Sequence, residues 1–397
     1  MKKPLLVAIL AMAGMPLLAG SLFDGNGIAF GPRDCLRFSP SVSVGAFWET
    51  NARNTSQNEK SGGGWRVQPS FTLSYAGKEG VKDIGSFSLS GFYSMERGFD
   101  SDNAQDSDSY GLSISTRRKL ARNLTLSASA SYSRSENDEF YGETWNDYGT
   151  PSVDENRSES YNANLGLGYQ GDKWQWSAGL GWSRSKQLDG YKNESDSYSL
   201  SLLAGRAIFA RHYWNVSFST TWDDADDNST AYYIRTGMSG SITQKLTYSA
   251  MAGLGIYDYS GYEDDTAYGP SYDVSLAYKI NRTFAASLAL SAQYEPEYDG
   301  DQRDYYIWSN RLTGSINAQW NERWSSRLNV AWSYEDHQGN SVERDYDRTY
   351  IQTSLSTSYA LNRFTSLYGT VSWKSDMYSD GDDTDDLRLD VGLSFHL

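Results

Sequence analysis

The last eleven residues alternate without a break. Leu387, Leu389, Val391, Leu393, Phe395 and Leu397 are apolar, and Arg388, Asp390, Gly392, Ser394 and His396 between them are polar or small. A period of two is that of a strand with one oily and one wet face. A soluble domain seldom ends in such a strand. The pattern makes a sheet closed on itself in a membrane the reading against which the rest of the chain is tested.

Composition narrows the choice. The chain has 397 residues, 39% of them hydrophobic, yet beyond the N-terminus no run reaches the roughly 18 apolar residues of a spanning helix. Aromatics make up 14%, mostly the 30 Tyr and 13 Trp, whose apolar bodies and polar tips suit a lipid–water boundary. A formal charge of -15 argues against nucleic acid as a partner, since a phosphate backbone demands a basic face. The single cysteine, Cys35, allows no internal disulfide.

The N-terminus reads as a signal peptide over residues 1–21. Lys2 and Lys3 precede an apolar run from Leu5 to Ala13, and Ala19-Gly20-Ser21 offers small residues for cleavage. Ser21 stands where a lipoprotein box would need cysteine, which argues against lipidation. Residues 22–38, interrupted by Gly25, Gly27, Gly31 and Pro32, are expected to be a periplasmic lead-in, either a plug or strap at the barrel mouth or a disordered linker. Residues 39–397 are expected to form the transmembrane barrel.

Within that stretch, alternating segments of roughly ten residues pair into hairpins, the repeated signal of a transmembrane antiparallel up-and-down β-barrel. Their starts fall near Ser41, Gly64, Asp83, Ser107, Asn123, Ser158, Lys173, Ser195, His212, Asn228, Lys245, Gly269, Phe284, Asp304, Trp324, Asp347, Phe364 and Asp386. That makes about eighteen strands, an even number as a single-chain barrel requires. One segment shows both faces plainly: Trp174, Trp176, Ala178, Leu180 and Trp182 against Gln175, Ser177, Gly179, Gly181 and Ser183. The connections alternate between short basic ones, such as Asn281-Arg282-Thr283, and longer acidic ones, such as 137–159 and 335–347. Short periplasmic turns and long external loops are the usual asymmetry of these barrels, and an even count leaves both termini periplasmic. A two-sheet soluble sandwich also alternates. Its second face would have to fill a dry core, and here that face is mostly Ser, Gly and Thr.

The small polar face implies an open aqueous lumen. Ser86, Ser88, Ser90, Ser127, Ser129, Ser131, Ser197, Ser199, Ser201, Ser354, Ser356 and Ser358 are expected to line it, with the charges Asp273, Arg311, Arg327, Arg348, Arg388 and Asp390 either setting ion preference or bracing the wall in pairs. The connection 137–159 is the constriction candidate. Glu139, Glu143, Asp147, Asp154 and Glu155 would favour cations, and Phe140, Tyr141, Trp145 and Tyr148 could stack on sugar faces. Asp223, Asp224, Asp226, Asp227, Asp382 and Asp383 could collect Ca2+ weakly, but neither run has EF-hand spacing. A solvated loop at the lipopolysaccharide level is the plainer reading. No metal centre, cofactor or catalytic site is expected. Three histidines do not give zinc spacing: His212 at a short turn, His337 in an external loop and His396 in the last strand.

The closing alternation resembles the C-terminal strand by which outer-membrane barrels are recognised for assembly, with Leu393, Phe395 and Leu397 as the signal; that pattern usually ends on Phe, which here stands one place back. Glu139-Phe140-Tyr141-Gly142 is similar to the constriction-loop motif of general trimeric porins. Asp336-His337 resembles the rim couple of outer-membrane barrel proteases, though no second carboxylate pair accompanies it. The first hairpin carries the widest likeness: Ser39-Pro40-Ser41, Phe47-Trp48-Glu49-Thr50-Asn51 and Val67-Gln68-Pro69-Ser70-Phe71 resemble the start of the β-barrel porin type 2 family. The resemblance implies an outer-membrane pore without catalytic residues, linked in several members to exopolysaccharide export. The expected partners are therefore outer-membrane lipid and lipopolysaccharide, the barrel assembly machinery, and saccharides, cations or a polysaccharide as cargo, with an export complex in the second case. A barrel adhesin or enzyme with a closed lumen is the third reading.

Overall fold

The computed structural model describes residues 28–30, 36–50, 61–76, 85–99, 106–145, 151–188, 194–224, 228–260, 265–295, 306–338, 346–379 and 383–396, with side chains described outside 28–30, 76, 137–145, 151–156, 259–260, 265, 295, 306 and 338. The strands are β1 (Ile28–Phe30), β2 (Leu36–Glu49), β3 (Gly62–Ala76), β4 (Ser86–Gly98), β5 (Ser107–Ala121), β6 (Leu124–Trp145), β7 (Pro151–Gln170), β8 (Trp174–Gln187), β9 (Glu194–Phe209), β10 (His212–Asp224), β11 (Asn228–Ser241), β12 (Leu246–Ser260), β13 (Asp265–Tyr278), β14 (Phe284–Glu295), β15 (Tyr306–Gln319), β16 (Trp324–Gln338), β17 (Tyr346–Ala360), β18 (Thr365–Tyr378) and β19 (Thr384–His396). From β2 to β19 each strand pairs antiparallel with the next. The ladder closes where β19 meets β2, from Arg388↔Glu49 to His396↔Ser41. Among the described residues this is an eighteen-stranded up-and-down barrel with no free sheet margin, apart from the seam discussed below.

A one-residue slip would turn every side chain to the wrong face, so the continuous register fixes which residues look outward. On β8 these are Trp174, Trp176, Ala178, Leu180 and Trp182; on β16 they are Trp324, Leu328, Val330, Trp332 and Tyr334. Leu254, Val391, Ile234 and Leu180 are more than half exposed on this outer face. Aromatic residues therefore bracket an aliphatic band. The eight residue steps from Trp174 to Trp182, at roughly 3.3 Å each, cover about 26 Å along the strand, close to the ~25 Å height of the apolar band on such barrels.

The short turns owe their tightness to side-chain caps. Asn281 Oδ1 accepts from the backbone N–H of Thr283 and Phe284, and Asn321 Oδ1 from Arg323 and Trp324. Asn362 repeats this with Phe364, and Thr243 Oγ1 accepts from Lys245 and Leu246. The Asn at each of these three turns thus forms an Asx turn, its side chain standing in for a backbone turn bond. At the β9–β10 turn Arg211 adopts φ 72°.

Two boundaries differ from expectation. The first wall strand begins at Leu36, inside the expected lead-in, because Leu36 and Phe38 continue the outward row of Pro40 and Val42. β1 pairs with Leu36–Phe38. It thereby occupies the stretch of β2 edge that lies beyond the end of β19, where a strap across the mouth had been the alternative. At the opposite end the strands run on into what read as acidic loops, so that Asp223, Glu335, Asp347, Asp376 and Asp386 sit in the ladder. Above the lipid both faces of a strand meet water, so alternation of hydropathy no longer marks the strand there.

Candidate functional site

The wall encloses a lumen whose two halves differ in chemistry. In the half next to the short turns, inward positions are small. Ser90 pairs with Ser113 across the ladder with a 2.7 Å hydroxyl contact, and Ser287 does the same with Ser315 at 2.7 Å. The twelve serines expected on the wet face all lie in this inward register. Three cavities occupy this half, of about 770, 800 and 460 Å³. The first two adjoin, sharing Thr247, Ala277 and Arg327.

The other half is crowded and charged. Arg388 on β19 reaches Glu49 on β2 at 3.4 Å, Glu96 on β4 at 3.0 Å and its own-strand neighbour Asp390 at 3.2 Å, with its guanidinium 4.4 Å from the centre of the Phe47 ring. Arg66 on β3 joins the same carboxylates, Glu96 at 3.3 Å and Asp390 at 3.1 Å. On the adjoining strands β16 to β19, Arg348 pairs with Asp376 at 2.6 Å and Glu335 at 3.4 Å, and Lys374 lies 4.0 Å from Asp386. Glu49, Glu96, Asp390, Glu335, Asp376 and Asp386 thus face Arg66, Arg388, Arg348 and Lys374, six acids against four bases. Cross-strand pairing of this kind braces the wall and leaves a small negative surplus.

A second feature narrows this half. β13 pairs with β14 only from Tyr272↔Ala292 to Tyr278↔Ala286. Above that point stands Pro270, which has no N–H to give to a ladder and is tolerated at an edge. The upper end of β14 then passes on the lumen side of β13. Tyr294, on the same face of β14 as the outward Leu288 and Leu290, has its ring 6.1 Å from that of the inward Tyr257, and a Cβ on Gly269 would collide with its hydroxyl. Side chains replace the ladder: Ser271 Oγ donates to the Ala292 carbonyl at 3.1 Å, Tyr233 Oη to Tyr294 O at 2.8 Å and Trp308 Nε1 to Pro270 O at 3.4 Å. Ala231, Tyr233, Tyr257, Ala267 and Tyr294 form a buried cluster inside this overlap.

All six expected lumen charges face inward. Arg348, Arg388 and Asp390 belong to the paired networks; Asp273 and Arg311 lie level with one another across Ser291, and Arg327 donates from Nε to Asn329 Oδ1 at 2.9 Å in the other half. The constriction candidate takes a different form from a loop. Its backbone continues the β6–β7 ladder from Asn137↔Asn156, with Asp138↔Glu155, Glu139↔Asp154 and Phe140↔Val153 paired beyond the ends of the neighbouring strands. The side chains of Glu139, Phe140, Tyr141, Glu143, Trp145, Asp154 and Glu155, and the whole of Asp147 and Tyr148, lie outside the described residues.

Other expectations change with the register. Consecutive strand residues point to opposite faces, so Asp336 looks outward and His337 inward, and the pair does not form a couple. His337 is not in a loop: it is buried on β16, stacked on Tyr346 with ring centres 4.2 Å apart and with Nε2 3.6 Å from Glu335 Oε2. Asp223 and Asp224 diverge in the same way. Asp383 accepts from the Tyr378 N–H, and Asp226, Asp227 and Asp382 lie outside the described residues. Among the described residues no group of three His, Cys, Asp or Glu converges as metal ligands. Leu393 and Phe395 face outward on β19 beside Val44 and Val42, and Leu397 lies outside the described residues.

Arg66, Glu96, Glu49 and Phe47 were missed as site residues. Their signal was available: each interrupts the Ser/Gly/Thr face at an inward position.

No protein-family model matches the chain, and no curated protein matches it in sequence. Its fold matches solved barrels. A mutant of the ferric enterobactin receptor PfeA of Pseudomonas aeruginosa superposes with a TM-score of 0.50 at 8% identity, over 90% of this chain and 80% of that one. The P. aeruginosa protein FpvA, solved bound to heterologous pyoverdines, gives a TM-score of 0.50 at 10% identity, over 91% and 72%. At such identity the likeness establishes the barrel fold.

Proposed function

We propose that the chain is an integral outer-membrane channel that passes hydrophilic solutes, saccharides among them, through its polar lumen, with the short turns and both termini on the periplasmic side. The observation that carries this reading is the partition of the two faces: an aliphatic band between aromatic rows outside, and hydroxyl-lined cavities of 770 and 800 Å³ inside. An enzyme needs converging reactive groups. In the half of the lumen away from the short turns the charges are paired with one another, which supports a passive conduit. The barrel fold shared with the ferric enterobactin receptor adds support for a place in the outer membrane. The reading as a conduit for an exported polysaccharide draws on one specific feature, the cationic character of the short-turn mouth.

Purified protein refolded into a planar bilayer should show stepwise conductance in KCl. Absence of any conductance from folded, heat-modifiable protein would remove both channel readings and leave the closed-lumen adhesin or enzyme.

A further inference from the structure

The two halves of the lumen treat positive charge differently. Arg66, Arg388, Arg348 and Lys374 each have a carboxylate within 4.0 Å. At the short-turn mouth, the 800 Å³ cavity is lined by Lys245, Lys279, Arg282 and Arg327, and its lining contains no Asp or Glu. Nor do the 770 Å³ and 460 Å³ cavities contain one, although Arg327 lines the first and Arg117 the second. No salt bridge among the described residues engages any of these five cations. Lys245 Nζ donates to the Ile280 carbonyl at 3.0 Å and Arg327 to Asn329, both neutral acceptors. The charge bias extends beyond the lining: the seven short connections described between β5 and β18 hold eight Lys or Arg and two carboxylates, Asp172 and Glu322. In a chain of net charge -15 this is a concentrated reversal of sign.

A concave mouth lined by one sign of charge concentrates the field and raises the local level of the opposite ion. Beside several alanines and the Phe284 and Tyr278 rings, the other polar groups of the 800 Å³ cavity are amides and hydroxyls, among them Gln244, Asn317, Ser325, Ser356 and Thr370. These suit a hydroxyl-rich body rather than an apolar one, and the volume lies within the ~300–1,000 Å³ of ordinary ligand sites. The adjoining cavity carries the same chemistry further into the lumen. We propose that this vestibule binds an acidic saccharide, sugar rings bearing carboxylates, at the end of the lumen where export would begin. The cations hold the carboxylates and the amides and hydroxyls take the ring hydroxyls. The proposal rests on the channel reading for its direction but not for the binding itself.

The test uses the full chain folded in detergent micelles and tri-galacturonate as probe, with binding measured by calorimetry in low salt. Tri-galacturonate should bind at least tenfold tighter than neutral maltotriose, and its affinity should fall as KCl is raised. The double variant Lys245→Gln/Arg282→Gln changes two exposed positions and should weaken binding about tenfold, as expected for two screened contacts each worth about 0.7 kcal/mol. Arg184→Gln, a cation on the outer face, should leave it unchanged. Equal affinity for the neutral sugar, indifference to the double variant, or an equal loss with Arg184→Gln would overturn the proposal. Inorganic phosphate binding as tightly as the trisaccharide would also overturn it, by showing a simple anion site. Binding without conductance would retire the channel and keep the vestibule; conductance without binding would do the reverse.

Discussion

Replacing Arg388 with Met should be costly for stability and informative about permeation. The guanidinium holds three carboxylates, Glu49, Glu96 and Asp390, whose side chains are 14%, 18% and 11% exposed, while it is itself 25% exposed. Removing one partner of a buried pair costs about 3–5 kcal/mol because the other charge stays behind. Here the lumen is wet and Arg66 still touches Glu96 and Asp390, so about 2–3 kcal/mol is expected, with Glu49 left without its Arg388 contact. Urea unfolding in lipid vesicles, followed by tryptophan emission, measures the loss. The double variant Arg388→Met/Glu96→Gln should recover at least half of it, because one stranded charge is gone. In a bilayer under a KCl gradient, Arg388→Met should move the reversal potential toward cations and the double variant should move it back. If the single variant is as stable as the parent, or the double variant is no better than the single, the network does not brace the wall and the reasoning fails.

Other outcomes follow from the assignment of faces and from the seam. Leu254→Arg, mid-strand on the outer face, should cost about 2–4 kcal/mol in vesicle unfolding, whereas Ser354→Arg on the inner face should stay within about 1 kcal/mol; equal costs would mean the faces are misassigned. Tyr294→Ala should destabilise by about 3 kcal/mol, as for loss of a buried aromatic, and raise single-channel conductance by loosening the overlap; unchanged conductance would show that the overlap does not narrow the lumen.

Much of the wall could be read directly from the sequence, because in lipid the backbone has no other solution and the side-chain period has to be two. The expected start at His212 is the observed one, and those at Lys245 and Phe364 fall one residue from it. The reading weakened where that constraint ends. Segment six was placed at Ser158 and β7 begins at Pro151, since 151–157 stand above the lipid, where Asp154, Glu155 and Arg157 carry no alternation. The same cause hid Glu335 and His337, which were assigned to a loop although they hold inward places on β16. The overlap at β13 and β14 was hidden for another reason. Pro270 inside an otherwise regular strand was the one local sign, and where the upper end of β14 goes depends on Gly255 and Gly269 lying opposite each other on different strands, a relation that only the register creates.

The same register separates charge along the lumen axis. Where strands rise above the lipid, acids and bases pair closely and leave only a small negative surplus, so Arg66, Arg348 and Arg388 stiffen a wall that an anionic solute can pass without strong attraction. Where the strands turn at the other end, chain reversal is handled by Asn and Thr caps, and among the described residues the neighbouring Lys245, Lys279 and Arg282 enter no ion pair, Lys245 donating instead to the Ile280 carbonyl. A cation that closes no ion pair contributes little to stability at an exposed turn. Its effect lies in the field it sets at the mouth, and because the cavities behind that mouth hold no carboxylate, the field extends inward rather than ending at the rim. A solute carrying negative charge is therefore held most tightly at the short-turn end and meets weaker attraction further on, so the vestibule raises its local concentration at that mouth while net movement through the lumen follows the solute's own concentration gradient.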